Sequence, residues 1–320
     1  MRLFLLLFFL TGCKAKTTET NAHNAIQNVV VDSSKSIILH LSPANGSVYR
    51  YFTNNETATL LEMEGNKMET ISNTVVENIY HIHKDSNQNI VFNIKYENIK
   101  VTTKKNDVES EVDAANAALT NNPVERMLGM LKEQEINVAV SSQGKIHSIT
   151  GYEEMGNKLL SNFSDKDGYS RDIAKQQWDQ VVINGIVKNN VGQMFKSFPG
   201  AKVYRGYRWT SKEKQEGELP MDVETSFVIK EIDADGNVII ASESNIKTAE
   251  GTQSNVPGQK NVQTDIKGKR SGIAYVNGIT GMIEKSEYTT TVSGHINVMG
   301  IESPMSITTR LNITGKKITD

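Results

Sequence analysis

Apolar residues recur at every second position along much of this chain, and that period limits what it can fold into more than any other feature. Ile90, Phe92, Ile94 and Tyr96 alternate with mostly polar neighbours. Successive side chains of a strand point to opposite faces, so the pattern predicts a sheet with one buried face. Val48 to Phe52, Thr57 to Met63 and Thr70 to Tyr80 read as further strands, separated by turn-forming Pro43-Ala44-Asn45-Gly46 and Glu64-Gly65-Asn66. Ile136 to Val140 and Lys145 to Ile149 flank a Gln143-Gly144 turn. In the second half, Lys202 to Thr210, Met221 to Ile232, Asn237 to Ile246, Gly272 to Val276, Met282 to Val298 and Pro304 to Ile313 read the same way.

Two stretches have the helical period instead. Val124, Met127, Leu128 and Leu131 fall at i, i+3, i+4, i+7 after Pro123, which suits a first helical turn. From Tyr152 to Phe198 the spacing is again helical. Ala174, Trp178, Val181 and Val182 share one face there, and Val187, Val191, Met194, Phe195 and Phe198 another. Lys104 to Asn122 reads as a loop or weak helix, and Glu250 to Gly268 as a loop without a period. The expected class is mainly β (α+β). Two similar antiparallel meanders, curved like half-barrels, are joined by a helical segment. They form one sheet built from two halves or two sheets.

The two halves echo each other. Val48-Tyr49-Arg50-Tyr51-Phe52 is matched by Val203-Tyr204-Arg205-Gly206-Tyr207. The hairpin from Lys84 to Phe92, with its Asp85 to Asn89 loop, is matched by Ile232 to Ile240, with Asp233 to Asn237. Such spacing suggests a duplicated meander.

The N-terminus sets an address. Arg2 precedes the apolar run Leu3 to Leu10, and Leu10-Thr11-Gly12-Cys13 follows as a lipobox. The run is too short to span a bilayer and suits the core of a secretory signal. It predicts cleavage before Cys13 and acyl chains (palmitate among them) on Cys13, each buried CH₂ adding about 0.8 kcal/mol of membrane affinity. Lys14-Ala15-Lys16 carries no acid after the cysteine. The expected place is the outer membrane, lipid-anchored, on the periplasmic face. The resulting division is 1–12 signal peptide, 13–36 tether, 37–151 first β half, 152–198 helical connector and 199–320 second β half. A short strand at Ile26 to Val31 lies within the tether.

Cys13 is the only cysteine. No disulfide framework is available, so the fold relies on a core, for which 38% hydrophobic content suffices. The 35 basic and 37 acidic residues give a net charge of −2, which supplies no field for nucleic acid.

The chemistry-bearing motifs are weak. His81-x-His83 places two imidazoles on one strand face without a third ligand nearby. Asp233-x-Asp235-Gly236-Asn237 has part of a calcium-loop spacing but no distal glutamate. Glu153-Glu154 and Glu284/Glu287 offer carboxylates, and Ser141, Ser142, Ser293 and Ser303 lie in no nucleophile-elbow context. No catalytic residue, metal site or cofactor is expected. Tyr49, Tyr51, Tyr204, Tyr207 and Trp209 form the most interesting group. They either fill the core or line an aromatic ligand wall between the halves. Arg50 and Arg205 occupy matching places and would face away from these tyrosines, as surface charges or as caps for a carboxylate or lipid phosphate.

The lipobox, Val48 to Phe52, Asp233 to Asn237 and Gly144-x-Ile146-x-x-Ile149-x-Gly151-Tyr152 together resemble domain-of-unknown-function family 6263, a family of Bacteroidota lipoproteins. The resemblance covers roughly residues 37 to 315 and implies no activity or catalytic residues. The hairpin loop Asp85 to Asn89 departs from it in lacking glycine. The expected function is a non-catalytic envelope lipoprotein, held to the membrane through Cys13, whose β body binds a lipid or lipoprotein tail. The alternative is an outer-membrane scaffold that docks an envelope protein; a hydrolase is the weakest reading.

Overall fold

The structure, a computed structural model, describes residues 26, 29–63, 65–85, 89–119, 122–162, 174–175, 178–195, 197–215, 220–249, 263–298 and 301–318. The signal peptide, Cys13 and the tether up to Ala25 lie outside the described residues, as do residues 250–262 of the expected loop.

The first half runs β1 (Asp32–Ile38), β2 (Val48–Met63), β3 (Asn66–Lys84), β4 (Ile90–Lys105), β5 (Val108–Asp113), a 3₁₀ turn (Ala114–Asn116), α1 (Pro123–Glu133), β6 (Glu135–Val140) and β7 (Ile146–Thr150). Helices α2 (Tyr152–Asn162), α3 (Trp178–Lys188, wound as a π-helix) and α4 (Asn189–Met194) follow. The second half is β8 (Lys202–Arg205), β9 (Arg208–Gln215), β10 (Met221–Ile232), β11 (Val238–Thr248), β12 (Gln263–Val276), β13 (Ile283–Val298) and β14 (Ile301–Ile318).

Twelve strands form one open antiparallel sheet in the order β7-β6-β4-β3-β2-β14-β13-β12-β11-β10-β9, with β5 also on β4. The two expected meanders are therefore halves of one sheet. Their seam is the long pairing of β2 with β14, from Val48↔Ile318 to Leu61↔Met305. The sixteen residues of β4 carry two partners end to end, β6 against Ile90–Lys95 and β5 against Lys100–Lys105. A second sheet pairs β1 with β8.

The hairpin echo is also an echo in space. At the β3–β4 turn, both carboxylate oxygens of Asp85 accept hydrogen bonds from Asn89, one from the backbone N–H and one from Nδ2, each at 2.9 Å. Asp233 accepts the same pair from Asn237 at the β10–β11 turn, at 2.8 and 3.1 Å. The strand echo does not extend this far, because Val48–Phe52 lies at the centre of the large sheet while Val203–Arg205 lies in the small one.

Several boundaries differ from the sequence reading. Asp32 to Ser36, placed in the tether, belong to β1 and pair with β8. Of the expected strand at Ile26 to Val31, the described residues Ile26 and Val29 to Val31 are not in a strand; Ile26 packs with Val228 and Ala241 on the far side of β10 and β11. Lys104 to Asn122 contains a hairpin, because Asn106 and Asp107 both take positive φ (46° and 69°). Two such residues match the twist of an antiparallel pair, and Asn and Asp tolerate that region best after glycine. Lys202 to Thr210 breaks into β8 and β9 at Gly206, whose φ is +87° and whose missing Cβ leaves room for Val31. β12 begins nine residues before the expected Gly272.

One face of the large sheet carries the core. Tyr51, Tyr80, Phe92, Ile94, Tyr96 and Ile99 point into it, and α1 covers them with Met127, Leu128 and Leu131. α1 opens on Asn122, whose Oδ1 accepts the Val124 N–H at 2.9 Å. The two expected faces of the Tyr152–Phe198 block meet in this same core: Ala174, Trp178 and Val182 join Val187, Val191, Met194 and Phe198.

Candidate functional site

The aromatic residues singled out by sequence form two groups, one within this core and one half-buried at its edge. Tyr51 is fully buried, donates its hydroxyl to the Ile283 carbonyl at 2.9 Å and meets Tyr80 edge-on at 5.0 Å. The series continues through Phe92 at 6.1 Å to Phe195 at 4.7 Å. Tyr49 is buried beside them. The second group begins with Tyr204 and Tyr207 at 5.6 Å. It runs through Trp209 to Phe227, which stacks on the indole at 4.9 Å. Trp209 Nε1 donates to the Ser197 carbonyl at 2.7 Å, which fixes the ring under the helical segment. Burial raises the pKa of Tyr51, Tyr80 and Tyr96 above the ordinary tyrosine range, so all three stay neutral.

Arg50 points to the opposite face and pairs with Glu97 at 3.1 Å and Glu77 at 3.6 Å. Arg205 is exposed near Asp32 in the small sheet. His81, His83, His147 and His295 are all exposed. Among the described residues, no three His, Cys, Asp or Glu stand close enough together to hold a metal. Both carboxylate oxygens of Asp233 are engaged by Asn237 in the turn. Glu153 and Glu154 are solvated on α2, and Glu287 pairs with Lys285 at 2.8 Å. Ser141 Oγ accepts the backbone N–H groups of Gln143 and Lys145, a turn role.

Helix α4 is pinned to the sheet by a buried polar side chain. Asn190 on α4 accepts from Asn78 Nδ2 at 2.9 Å and from the Tyr80 hydroxyl at 3.3 Å. It donates to Thr53 Oγ1 at 3.3 Å. These bonds fix one helix against β2 and β3 at the only depth where the side chains meet. Hydrophobic contact, which has no direction, cannot select that depth alone.

Below the pin, the same face changes character. Directly paired residues of neighbouring strands project to the same side, so the register can be followed across the sheet. From β5 to β9 one register line reads Ser110, Thr103, Ser72, Thr57, Thr309, Thr290, Arg270, Ser244, Thr225 and Ser211. Ten consecutive strands contribute a hydroxyl to this belt, except where Arg270 interrupts it. Thr225 and Ser244 bond each other at 2.9 Å, and Arg270 Nε donates to Thr290 Oγ1 at 3.1 Å. Gly268 and Gly272 flank Arg270 on the same face of β12. A Cβ at Gly268 would meet Val292, and one at Gly272 would meet Tyr288, so both side chains lean over the strand beside the arginine. Burial lowers the pKa of Arg270, partly opposed by the fields of Glu213 and Tyr288. Arg270 is the residue that sequence reasoning missed.

Beyond the belt lies a second apolar cluster, formed among the described residues by strands alone. It holds Leu61, Met221, Val223, Ile246, Ile266, Val292, Ile296, Met305 and Ile307, with Met63 and Met68 packed against it. Four of these are methionines, whose unbranched, polarisable side chains repack around irregular shapes. The face thus has three zones: a helix-covered aromatic core, a hydroxyl belt with one guanidinium, and a methionine-rich end.

No described helix is long and apolar enough to cross a membrane. Among solved structures, lipovitellin, described for its lipid–protein interactions, aligns at 12% identity and a TM-score of 0.49, over 85% of this chain and 25% of its own. The chain thus spans about a quarter of the length of that relative. Pseudomonas aeruginosa OccK5 aligns at 6% identity and a TM-score of 0.24, over 86% of this chain and all of its own. An outer membrane channel from Pseudomonas putida F1 aligns at 8% and 0.20, over 90% of this chain and all of its own. None of the three reaches a TM-score of 0.5, and none bears on what this chain binds. No curated protein matches the chain. The model of a family of unknown function, DUF6263, matches residues 87–283, from the start of β4 through the helices to the start of β13. Because that match takes in most of the sheet, all the helices and Arg270, the chain belongs to the DUF6263 family.

Proposed function

We propose that this protein is a non-catalytic envelope lipoprotein, anchored through acyl chains on Cys13 to the outer membrane on its periplasmic side. Its sheet takes an apolar or amphipathic ligand at the methionine-rich end of the helix-bearing face. The observation that carries this reading is the second apolar cluster, separate from the core and rich in methionine. A fold needs one core; a second cluster of adaptable side chains beyond a polar band suits a guest of variable shape. The lipobox supports the address. The twelve residues between Cys13 and Ile26 reach at most about 40 Å when extended, which keeps the body within reach of the bilayer.

Native mass spectrometry of the protein extracted from membranes and freed of detergent tests the reading. Retention or uptake of lipid-sized mass by the folded body is expected. A body that stays ligand-free after incubation with membrane lipids contradicts it. Replacing Cys13 with Ser separately tests the anchor: the variant is expected to leave the membrane fraction.

A further inference from the structure

We infer that the hydroxyl belt around Arg270 receives the head group of a single-chain amphiphile ending in a carboxylate, with its alkyl chain running over the methionine-rich end. The inference rests on the binding reading above and names its ligand class.

Arg270 is half-buried and incompletely engaged. A guanidinium carries five N–H donors. Nε is bound to Thr290, and the Nη groups meet no acceptor among the described residues. The acid whose field reaches it, Glu213, lies on β9, three strands from β12. At about 4.8 Å per strand this separates the two backbones by roughly 14 Å, and no ion pair joins the side chains. The Nη donors of a half-buried guanidinium are open to an anion, and a carboxylate matches the planar fork with two parallel hydrogen bonds. The hydroxyl of Thr290 and whichever of Ser244 and Thr225 accepts their mutual bond can each turn a donor toward the same anion. One positive charge with neutral donors suits a monoanion.

The chain direction follows from the layers. Along β12 from Arg270 the inward positions are Gly268, Ile266 and Thr264. Gly268 pairs with Ile246 and Val292, Ile266 with Gly294 and Thr264 with Ile296; one strand further, Ile307 and Met305 pair with Val292 and Gly294. Six residues of strand cover about 20 Å, the reach of a long acyl chain. At Gly268 the track is lined by Val292, which leans over the strand where the glycine has no side chain.

The test uses the full chain carrying Cys13→Ser and titration calorimetry with laurate, dodecanol, dodecyltrimethylammonium and dodecyl phosphate, each below its micelle concentration. Laurate is expected to bind at least about tenfold more tightly than dodecanol, and the cation most weakly. Arg270→Gln is expected to reduce laurate to the affinity of dodecanol while leaving dodecanol unchanged, and Arg270→Lys to retain part of the preference. Equal binding of laurate and dodecanol by the unsubstituted sheet, or a preference that survives Arg270→Gln, overturns the inference and leaves amphiphile binding standing. Tighter binding of dodecyl phosphate than of laurate overturns the assignment to a carboxylate. Failure of all four probes to bind overturns the binding reading as well. Should Arg270→Gln fail to fold, the preference in the unsubstituted chain and in Arg270→Lys decides.

Discussion

The two ends of the helix-bearing face are built from the same strands but filled by different means. At one end, rigid aromatic rings interlock, and helices close over them through the Asn190 pin. At the other, aliphatic and methionine side chains come from the sheet alone. Aromatic rings in fixed edge-on contacts specify one arrangement, while methionine tolerates several. The comparison teaches that a single long strand can serve stability at one end and adaptability at the other. β2 does both, with Tyr51 in the first zone, Thr57 in the belt and Leu61 in the last.

If the ends differ in this way, cavities should cost more at the aromatic end. Phe92→Ala is expected to lose about 3–5 kcal/mol of stability by urea denaturation. Met305→Ala should lose nearer 2 kcal/mol, because its neighbours can collapse into the space. Equal losses would break the comparison.

Asn190→Ala removes one partner each from Asn78, Tyr80 and Thr53. A loss of about 1–3 kcal/mol is expected by the same measurement, since buried polar groups are left unsatisfied. Hydrogen exchange should then show loosening confined to α3, α4 and the facing parts of β2 and β3.

The buried tyrosines give the aromatic end its own pH dependence. Burial raises Tyr51, Tyr80 and Tyr96 above the ordinary value of 10.0. Above that pH the unfolded chain releases phenolic protons that the folded chain keeps, so the unfolded state gains. Stability is therefore intact below about pH 10 and is lost as pH rises through the raised values. Thermal melts from pH 8 to 11 should show this, and the fall should be shallower in Tyr51→Phe. At neutral pH that substitution costs about 1 kcal/mol, through the hydrogen bond to Ile283. Tyr96→Phe should cost nothing or stabilise slightly, because the Tyr96 hydroxyl is buried without a partner.

The smallest expected change is at the far end. Met221→Leu conserves volume and should shift stability by less than about 1.5 kcal/mol. It should nevertheless alter amphiphile affinity measurably in the calorimetric titration, since the branched side chain adapts less freely.

The sequence discloses the aromatic end far better than the other. Ile90, Phe92, Ile94 and Tyr96 announce their face by alternation alone, and α1 announces itself by Pro123 and its spaced apolar residues. The belt is hidden because its residues are neighbours only through register. Thr289-Thr290-Thr291 has no alternation to tell which threonine points inward. Arg270 falls between the expected loop Glu250 to Gly268 and the expected strand start at Gly272, so it does not stand out until β12 is seen paired on both sides. Arg50 and Arg205 draw attention through their repeated setting, yet repetition carries no information about a partner across the sheet. Asn190 likewise looks like any helix-surface amide until Asn78, Tyr80 and Thr53 are found around it.

The central claim is that a ligand occupies the methionine-rich end and leaves the helix-covered core undisturbed. Hydrogen exchange of the full Cys13→Ser chain, with and without saturating laurate, tests it most directly. The account predicts added protection in β12 from Gln263 to Arg270, in β14 from Ser303 to Thr309 and in β10 from Met221 to Thr225, with α1, α3 and α4 unchanged. Protection concentrated in the helices, or none in those strand segments despite measured binding, would contradict it.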